Sequence, residues 1–184
     1  MKLLPLASVL LVASLGLAGC GPKKDSAPPT PKVAALAPGS LPVIGPAPTW
    51  QLKDLNGNVV GSEQLKGKVV VVDFWATWCG PCREEIPGYI AMQNKYGKDG
   101  LVIVGISIDQ AGTAVVKDFL GKNGMNYPVV MGDEAIMATF GGVEAIPTTF
   151  LIDRAGKVRD RKQGAAPSEE YEQKVLSVLG ERTS

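Results

Sequence analysis

The chain of 184 residues has no histidine and only three cysteines. Without an imidazole, Ser-His and Cys-His nucleophilic catalysis are excluded, and most zinc and copper sites lose their usual nitrogen ligand. Neither sign of charge prevails: 19 Lys and Arg stand against 18 Asp and Glu. No field is present to gather nucleic acid or to seek an acidic membrane face. The apolar stretch from Leu3 to Leu17 is broken by Pro5, Ser8 and Ser14, and it falls short of the roughly 20 residues that span a bilayer. No segment repeats, and the length suits one well-buried domain with extensions.

The first residues read as an export sequence: Lys2 gives a short positive start, the apolar stretch follows, and small residues close it. Its end, Leu17-Ala18-Gly19-Cys20, resembles the lipobox of bacterial lipoproteins. That resemblance implies removal of residues 1–19 and lipidation of Cys20, and several acyl chains on one residue anchor stably to a membrane. The alternative is an ordinary secretory sequence with a chance cysteine. Residues 20–45 carry prolines at 22, 28, 29, 31, 38 and 42 among Ala, Gly, Ser and Lys. Such a composition buries too little apolar surface to offset chain entropy, so it reads as a tether. A lid or docking segment is its alternative use. Residues 46–184 then form the folded domain.

With Cys20 assigned to lipid, two cysteines remain, in Trp78-Cys79-Gly80-Pro81-Cys82. The run Val69 to Ala76 before them is apolar and β-branched on both faces, as a central parallel strand requires. A helix from about Gly80 to Tyr96 follows, with Pro87 expected to kink it. Two thiols two residues apart at a strand-to-helix junction can cycle between dithiol and disulfide. Unpaired N–H groups and the positive helix end favour a thiolate at Cys79, the expected nucleophile. Cys82, in the first turn, is the resolving thiol. Gly80 permits close backbone approach, and Pro81 sits where a helix tolerates proline. Half a zinc site would look the same, but no second pair and no histidine exist to complete one.

The remaining pattern alternates strand and helix. Thr49–Leu52 and Val59–Val60 flank Asn56-Gly57 and predict a hairpin with a type I′ turn. Leu101–Ile108 is a second buried strand, and Thr113–Lys122 a helix with apolar Val115, Val116, Phe119 and Leu120 at helical spacing. Tyr127–Met131 is extended and Asp133–Phe140 a short helix. Thr148–Ile152 and Lys157–Arg159 form another hairpin, and a last helix starts at Ser168 with Tyr171, Val175, Val178 and Leu179 along one face. The five basic residues between Arg154 and Lys162 read as a solvated hairpin face, with partner docking as the alternative. The fold class is α/β, a three-layer sandwich around a mixed central sheet.

Val72-Asp73-Phe74-Trp75-Ala76-Thr77-Trp78-Cys79-Gly80-Pro81-Cys82 resembles the thioredoxin active-site signature. The export sequence, the leading hairpin, Arg83-Glu84-Glu85-Ile86-Pro87 and the extra helix at 113–122 are similar to the TlpA/ResA-type extracytoplasmic thioredoxins. The resemblance covers about residues 46 to 182 and implies the thioredoxin-like fold with an N-terminal β-hairpin and an inserted helix. It implies a cis bond at Ile146-Pro147, with the Ile146 backbone pairing an extended substrate segment and Pro147 shielding the sulfurs. Trp78 beside Cys79 would meet substrate, and Trp75 would mainly pack.

Asp73 stands alone in an apolar strand. Burial there should raise its pKa, and the matching residue of thioredoxins takes the proton of the resolving cysteine, here Cys82. A carboxylate reaching solvent at the strand's end is the plainer reading. Thioredoxins place a lysine near this aspartate on the following strand, where Gly105 stands here. Glu85, one helical turn beyond Cys82, matches the glutamate that tunes the cysteine pair in ResA-type proteins, although it also reads as a solvated helix carboxylate. Glu84 projects about 100° away.

These readings converge on a membrane-anchored thiol–disulfide oxidoreductase, a reductase of protein disulfides that needs no cofactor. Its implied electron source is a membrane thiol donor of the DsbD/CcdA kind, and cytochrome c maturation is a candidate setting. A thiol peroxidase of related fold would carry Pro-x-x-x-Thr-x-x-Cys, whereas Thr77 lies two positions before Cys79 with no such proline. A copper-handling lipoprotein would use both sulfurs as soft ligands, but relatives of that kind space them three apart and add a histidine.

Overall fold

The computed structural model describes residues 36–38 and 40–181; the export sequence, Cys20 and most of the tether lie outside them. Its elements are β1 (Gly45–Pro46), β2 (Gln51–Lys53), β3 (Val59–Gly61), β4 (Val69–Trp75), α1 (Gly80–Tyr96), β5 (Leu101–Ser107), α2 (Thr113–Asn123), β6 (Val129–Met131), α3 (Glu134–Thr139), β7 (Thr148–Ile152), β8 (Lys157–Gln163) and α4 (Ser168–Leu179). Six strands form one sheet in the order β1-β8-β7-β4-β5-β6, and β2–β3 is a separate hairpin. β4, β5 and β6 run parallel; β7 and β8 run antiparallel to their neighbours. The mixed central sheet and three layers agree with the α/β reading. Among the described residues no helix is long and apolar enough to cross a membrane.

All seven residues of β4 are buried, which explains its lack of apolar–polar alternation. Val69, Val71 and Trp75 face a core shared with Ile86, Tyr89 and Met92 of α1, Val116 of α2, and Tyr171 and Val175 of α4. Val70, Val72 and Phe74 face the other core, with Trp50 and Val60 of the hairpin, Ile136 of α3 and Phe140. α1 runs unbroken through Pro87.

Three expectations are corrected. The β2–β3 turn is not type I′, because Asn56 does not have positive φ while Gly57 does (90°). Asp54 organises a wider loop instead, its Oδ1 accepting from the N–H groups of Asn56 and Asn58 at 2.8 Å each. The basic residues of the second hairpin are a solvated face only in part, at the exposed Lys157 and Arg161. Arg159 and Lys162 are 6% and 9% exposed, and Arg154 donates to the carbonyls of Gly67 and Asp99. Finally, packed chain begins ahead of residue 46. Ile44 N donates to Val158 O at 2.8 Å, and the Arg159 guanidinium donates to the carbonyls of Leu41 and Pro42 while pairing with Asp153 and Glu181.

Gly105 of β5 pairs with Asp73 of β4. A Cβ there would stand 2.8 Å from Trp75 Nε1 and 3.3 Å from Val129 Cγ2, and the indole, itself packed on Phe119, has no room to retreat. Gly105→Ala is therefore expected to destabilise the fold by about 1–3 kcal/mol through overpacking, measured as a lowered midpoint in denaturant unfolding.

Candidate active site

β4 delivers the chain to the front of α1 through a short turn in which Cys79 N donates to Ala76 O at 3.1 Å. Asp109, just beyond β5 and 6% exposed, fixes this turn. Its Oδ2 accepts from Thr77 N at 2.9 Å and from Ser107 Oγ at 2.8 Å, and its Oδ1 accepts from Thr77 Oγ1 at 2.5 Å. Cys79 is the N-cap of α1: its backbone is extended, and its Sγ accepts from Cys82 N at 3.3 Å. No acidic residue occupies the first turn, and the positive end of the helix meets that sulfur. The two cysteines form a disulfide, the oxidised state of the pair. Cys79 is the outer sulfur-bearing residue, 6% exposed against 1% for Cys82, while Trp78 beside it is 67% exposed. Gly80 and Pro81 are exposed at the lip.

The Ile146–Pro147 bond is cis. Ile146 is half-buried against the cluster that contains both cysteines, and Pro147 O accepts from Gly164 N at 2.8 Å. Among the described residues no hydrogen bond engages the Ile146 N–H or carbonyl within the chain, which leaves a peptide edge free for another chain.

Beneath the disulfide lies a buried polar cluster. Asp73 is 2% exposed and Glu85 5%, so neither takes the solvated alternative, whereas Glu84 is exposed. Asp73 Oδ1 accepts from Thr149 Oγ1 at 3.2 Å, and that hydroxyl lies 3.2 Å from Tyr89 Oη. Glu85 Oε1 accepts from Lys162 Nζ and from Ala166 N, while its Oε2 is buried without a partner among the described residues. Burial pushes the Asp73 carboxyl from 3.8 up to about 7; the Glu85 carboxylate adds to the rise, and Lys162 and the Thr149 hydroxyl oppose it. Burial likewise drives the Tyr89 and Tyr171 hydroxyls well above their ordinary value.

The structure thus gathers Cys79, Cys82, Asp73, Glu85, Trp78, Gly80, Pro81, Ile146 and Pro147 at one end of the sheet and around its helix-covered face. Thr149, Tyr89 and Lys162 were missed. Thr149 follows the cis proline by two residues and could have been placed by the register of β7. Nothing in the charged run around Lys162 distinguishes it.

A carboxyl whose folded pKa is raised binds more protons folded than unfolded between about pH 4 and 7, so stability falls as pH rises through that window. A displacement of this size corresponds to a cost on the order of 4 kcal/mol above pH 7. Asp73→Asn is expected to raise unfolding free energy by several kcal/mol at pH 8 and by little at pH 4, as read by denaturant unfolding at the two pH values.

The Redoxin family profile matches residues 42–179. The chain is 37% identical over 127 residues to the thiol-disulfide oxidoreductase ResA of Bacillus anthracis, covering 68% of this chain and 72% of that protein. It is 41% identical over 113 residues to ResA of Bacillus subtilis (strain 168), covering 61% and 62%. A crystal structure of a thiol:disulfide interchange protein of the thioredoxin family from Chlorobium tepidum TLS superposes with a TM-score of 0.69 at 34% identity, over 74% of this chain and 97% of that one. The Cys79–Cys82 disulfide at the head of α1 and these likenesses lead to one conclusion: the chain belongs to the Redoxin family, as a ResA-like thiol–disulfide oxidoreductase of thioredoxin fold.

Proposed function

We propose that this enzyme reduces disulfides of proteins outside the cytoplasm while held to a membrane by lipid on Cys20. The observation that carries the redox step is the order of exposure across the Cys79–Cys82 disulfide. Cys79, at the cap beside an exposed tryptophan, keeps 6% of its surface accessible, whereas Cys82 inside the first turn keeps 1%. In the reduced enzyme the Cys79 thiolate, favoured by the main-chain N–H groups at the start of α1, attacks one sulfur of the substrate disulfide. An S–S bond forms to Cys79, and one substrate thiolate departs and takes a proton. The Cys82 thiol gives its proton to the Asp73 carboxylate and attacks Cys79 Sγ. The second substrate thiolate leaves and takes up the proton held by Asp73, and the enzyme is left oxidised as in this structure. Two electrons have moved from the enzyme dithiol to the substrate; of the two protons on the product thiols, one comes from Cys82 by way of Asp73 and the other from solvent, which received the Cys79 proton when its thiolate formed.

Trp78 and the free peptide edge at Ile146 would hold the substrate segment in extended form, as in strand addition. Gly80-Pro81 is the dipeptide of thioredoxin, whose potential lies near about −270 mV, far below the strong oxidant DsbA at about −120 mV; this supports the reducing direction. Exported proteins work where disulfides persist, so reduction there needs a membrane dithiol donor of the DsbD/CcdA type to reopen Cys79–Cys82. Apocytochrome c, whose haem-binding cysteines must be reduced, is a fitting substrate class. The structure favours this over the peroxidase reading, since the Thr77 hydroxyl is committed to Asp109.

Cys82→Ser is expected to accumulate mixed disulfides with its substrates, visible as dithiothreitol-sensitive adducts on non-reducing gels and identifiable by mass spectrometry. Cys79→Ser should form none, and both should lose insulin reduction. Full reductase activity in both variants would refute the assignment.

A further inference from the structure

Register places four residues in one row across the sheet: Gly105 of β5, Asp73 of β4, Thr149 of β7 and Lys162 of β8. Paired residues in a sheet project to the same side, so all four face the core covered by α1 and α4. Around that row stand Glu85 and Tyr89 of α1, Tyr171 of α4 and Tyr127 ahead of β6, each of them buried. Asp160, also of β8, is taken up by Lys174 of α4 at 3.1 Å. Among the described residues, Lys162 is therefore the positive group that this buried set holds. Its ammonium is pinned from three sides, by Glu85, by the Gly164 carbonyl at 3.0 Å and by the Tyr171 ring at 5.4 Å from the centroid.

We propose that Lys162 is a positioning residue for disulfide exchange: from β8 it fixes Glu85 under the first turn of α1 and supplies the positive charge against which Asp73 can lose and regain a proton. The proposal rests on the reductase reading above and assigns the electrostatic control of that same site. Asp73 is raised by the buried Glu85 carboxylate beside it, and a second buried negative charge needs a counter-charge. The β5 position facing Asp73 cannot supply one, since Gly105 has no side chain and Trp75 fills the space beside it. β6 and β7 bring only Val129 and Thr149 to this row, so its basic side chain is Lys162 of β8, whose effect on Asp73 opposes burial and Glu85. Glu85 also lines a cleft of about 370 Å³ with Ala165, Ala166 and Pro167.

The test compares the wild type with Lys162→Met and Lys162→Arg, each as the purified full chain. Titration of the Asp73 carboxyl carbon is followed by NMR in the oxidised protein, and the pH profile of mixed-disulfide resolution is followed by stopped flow. In Lys162→Met the Asp73 midpoint is expected to rise by about 1 pH unit or more, with the resolution profile moving by the same amount and the rate at neutral pH falling about tenfold. Lys162→Arg should return both to near the wild-type values, which a purely packing role would not do. Removing Lys162 alone leaves the Glu85 charge buried, so a second comparison sets Glu85→Gln against Glu85→Gln/Lys162→Met, in which the Glu85 charge is absent; the same upward displacement is expected between these two. An unmoved Asp73 titration in both comparisons, or a moved titration with an unmoved rate profile, overturns the proposal. Because the titration is read without substrate, it separates from failure of the reductase reading, which shows instead as a wild type that reduces no disulfide.

Discussion

Asp73 sits in a strand whose seven residues are all buried and whose two edges are both hydrogen-bonded, so its charge can be met only by groups reaching it from inside the molecule. That constraint organises the site. The hydroxyl of Thr149 comes from the neighbouring strand, the carboxylate of Glu85 from the helix above, and the ammonium of Lys162 from two strands away. Each is buried and each is hydrogen-bonded, as low-dielectric surroundings demand. The cost on the order of 4 kcal/mol attached to an ionised Asp73 is carried by a fold whose other face is packed with Phe74, Phe140, Phe150 and Trp50 in edge and tilted contacts.

What the sequence revealed was the part governed by local pattern. The unbroken apolar run of β4, the helix beginning at Gly80 and ending at Tyr96, and the pairing of Cys79 with Cys82 all follow from strand composition, helix capping and spacing. Asp73 and Glu85 were also legible: one is a lone carboxylate in a buried strand, the other lies one helical turn past a cysteine. The hairpin turn was misread because Asn-Gly was given its strongest local preference. Asp54 instead holds two N–H groups of a longer loop, and Asn56 then has no need of positive φ.

Lys162 was hidden for a different reason. In Lys157–Gln163 the charges outnumber the apolar residues, so its basic residues read as a solvated hairpin face. Strict alternation from Val158 would moreover send Asp160 and Lys162 to the Val158 side. The register shift between Leu151 and Ile152 breaks that parity. Val158 faces the Phe74 core, whereas Asp160 meets α4, Lys162 meets Glu85, and Arg161 turns to the Phe150 ring. A bulge moves every later side chain to the other face, and no local propensity announces one here.

The same bulge explains how one strand serves two tasks. Arg159, next to the irregularity, is freed from the row that continues to Lys162. It binds the incoming chain through the carbonyls of Leu41 and Pro42 and ties it to Asp153 and Glu181. That clamp stands at the Lys157 end of β8, where β1 pairs with Val158 and Lys157, while Lys162 stands at the end that meets Pro147 through Gly164. The residues fastening the N-terminal segment and those governing the proton beneath the disulfide are therefore separate charged groups on one strand. Each has its own carboxylate partners, Asp153 and Glu181 for Arg159 and Glu85 for Lys162.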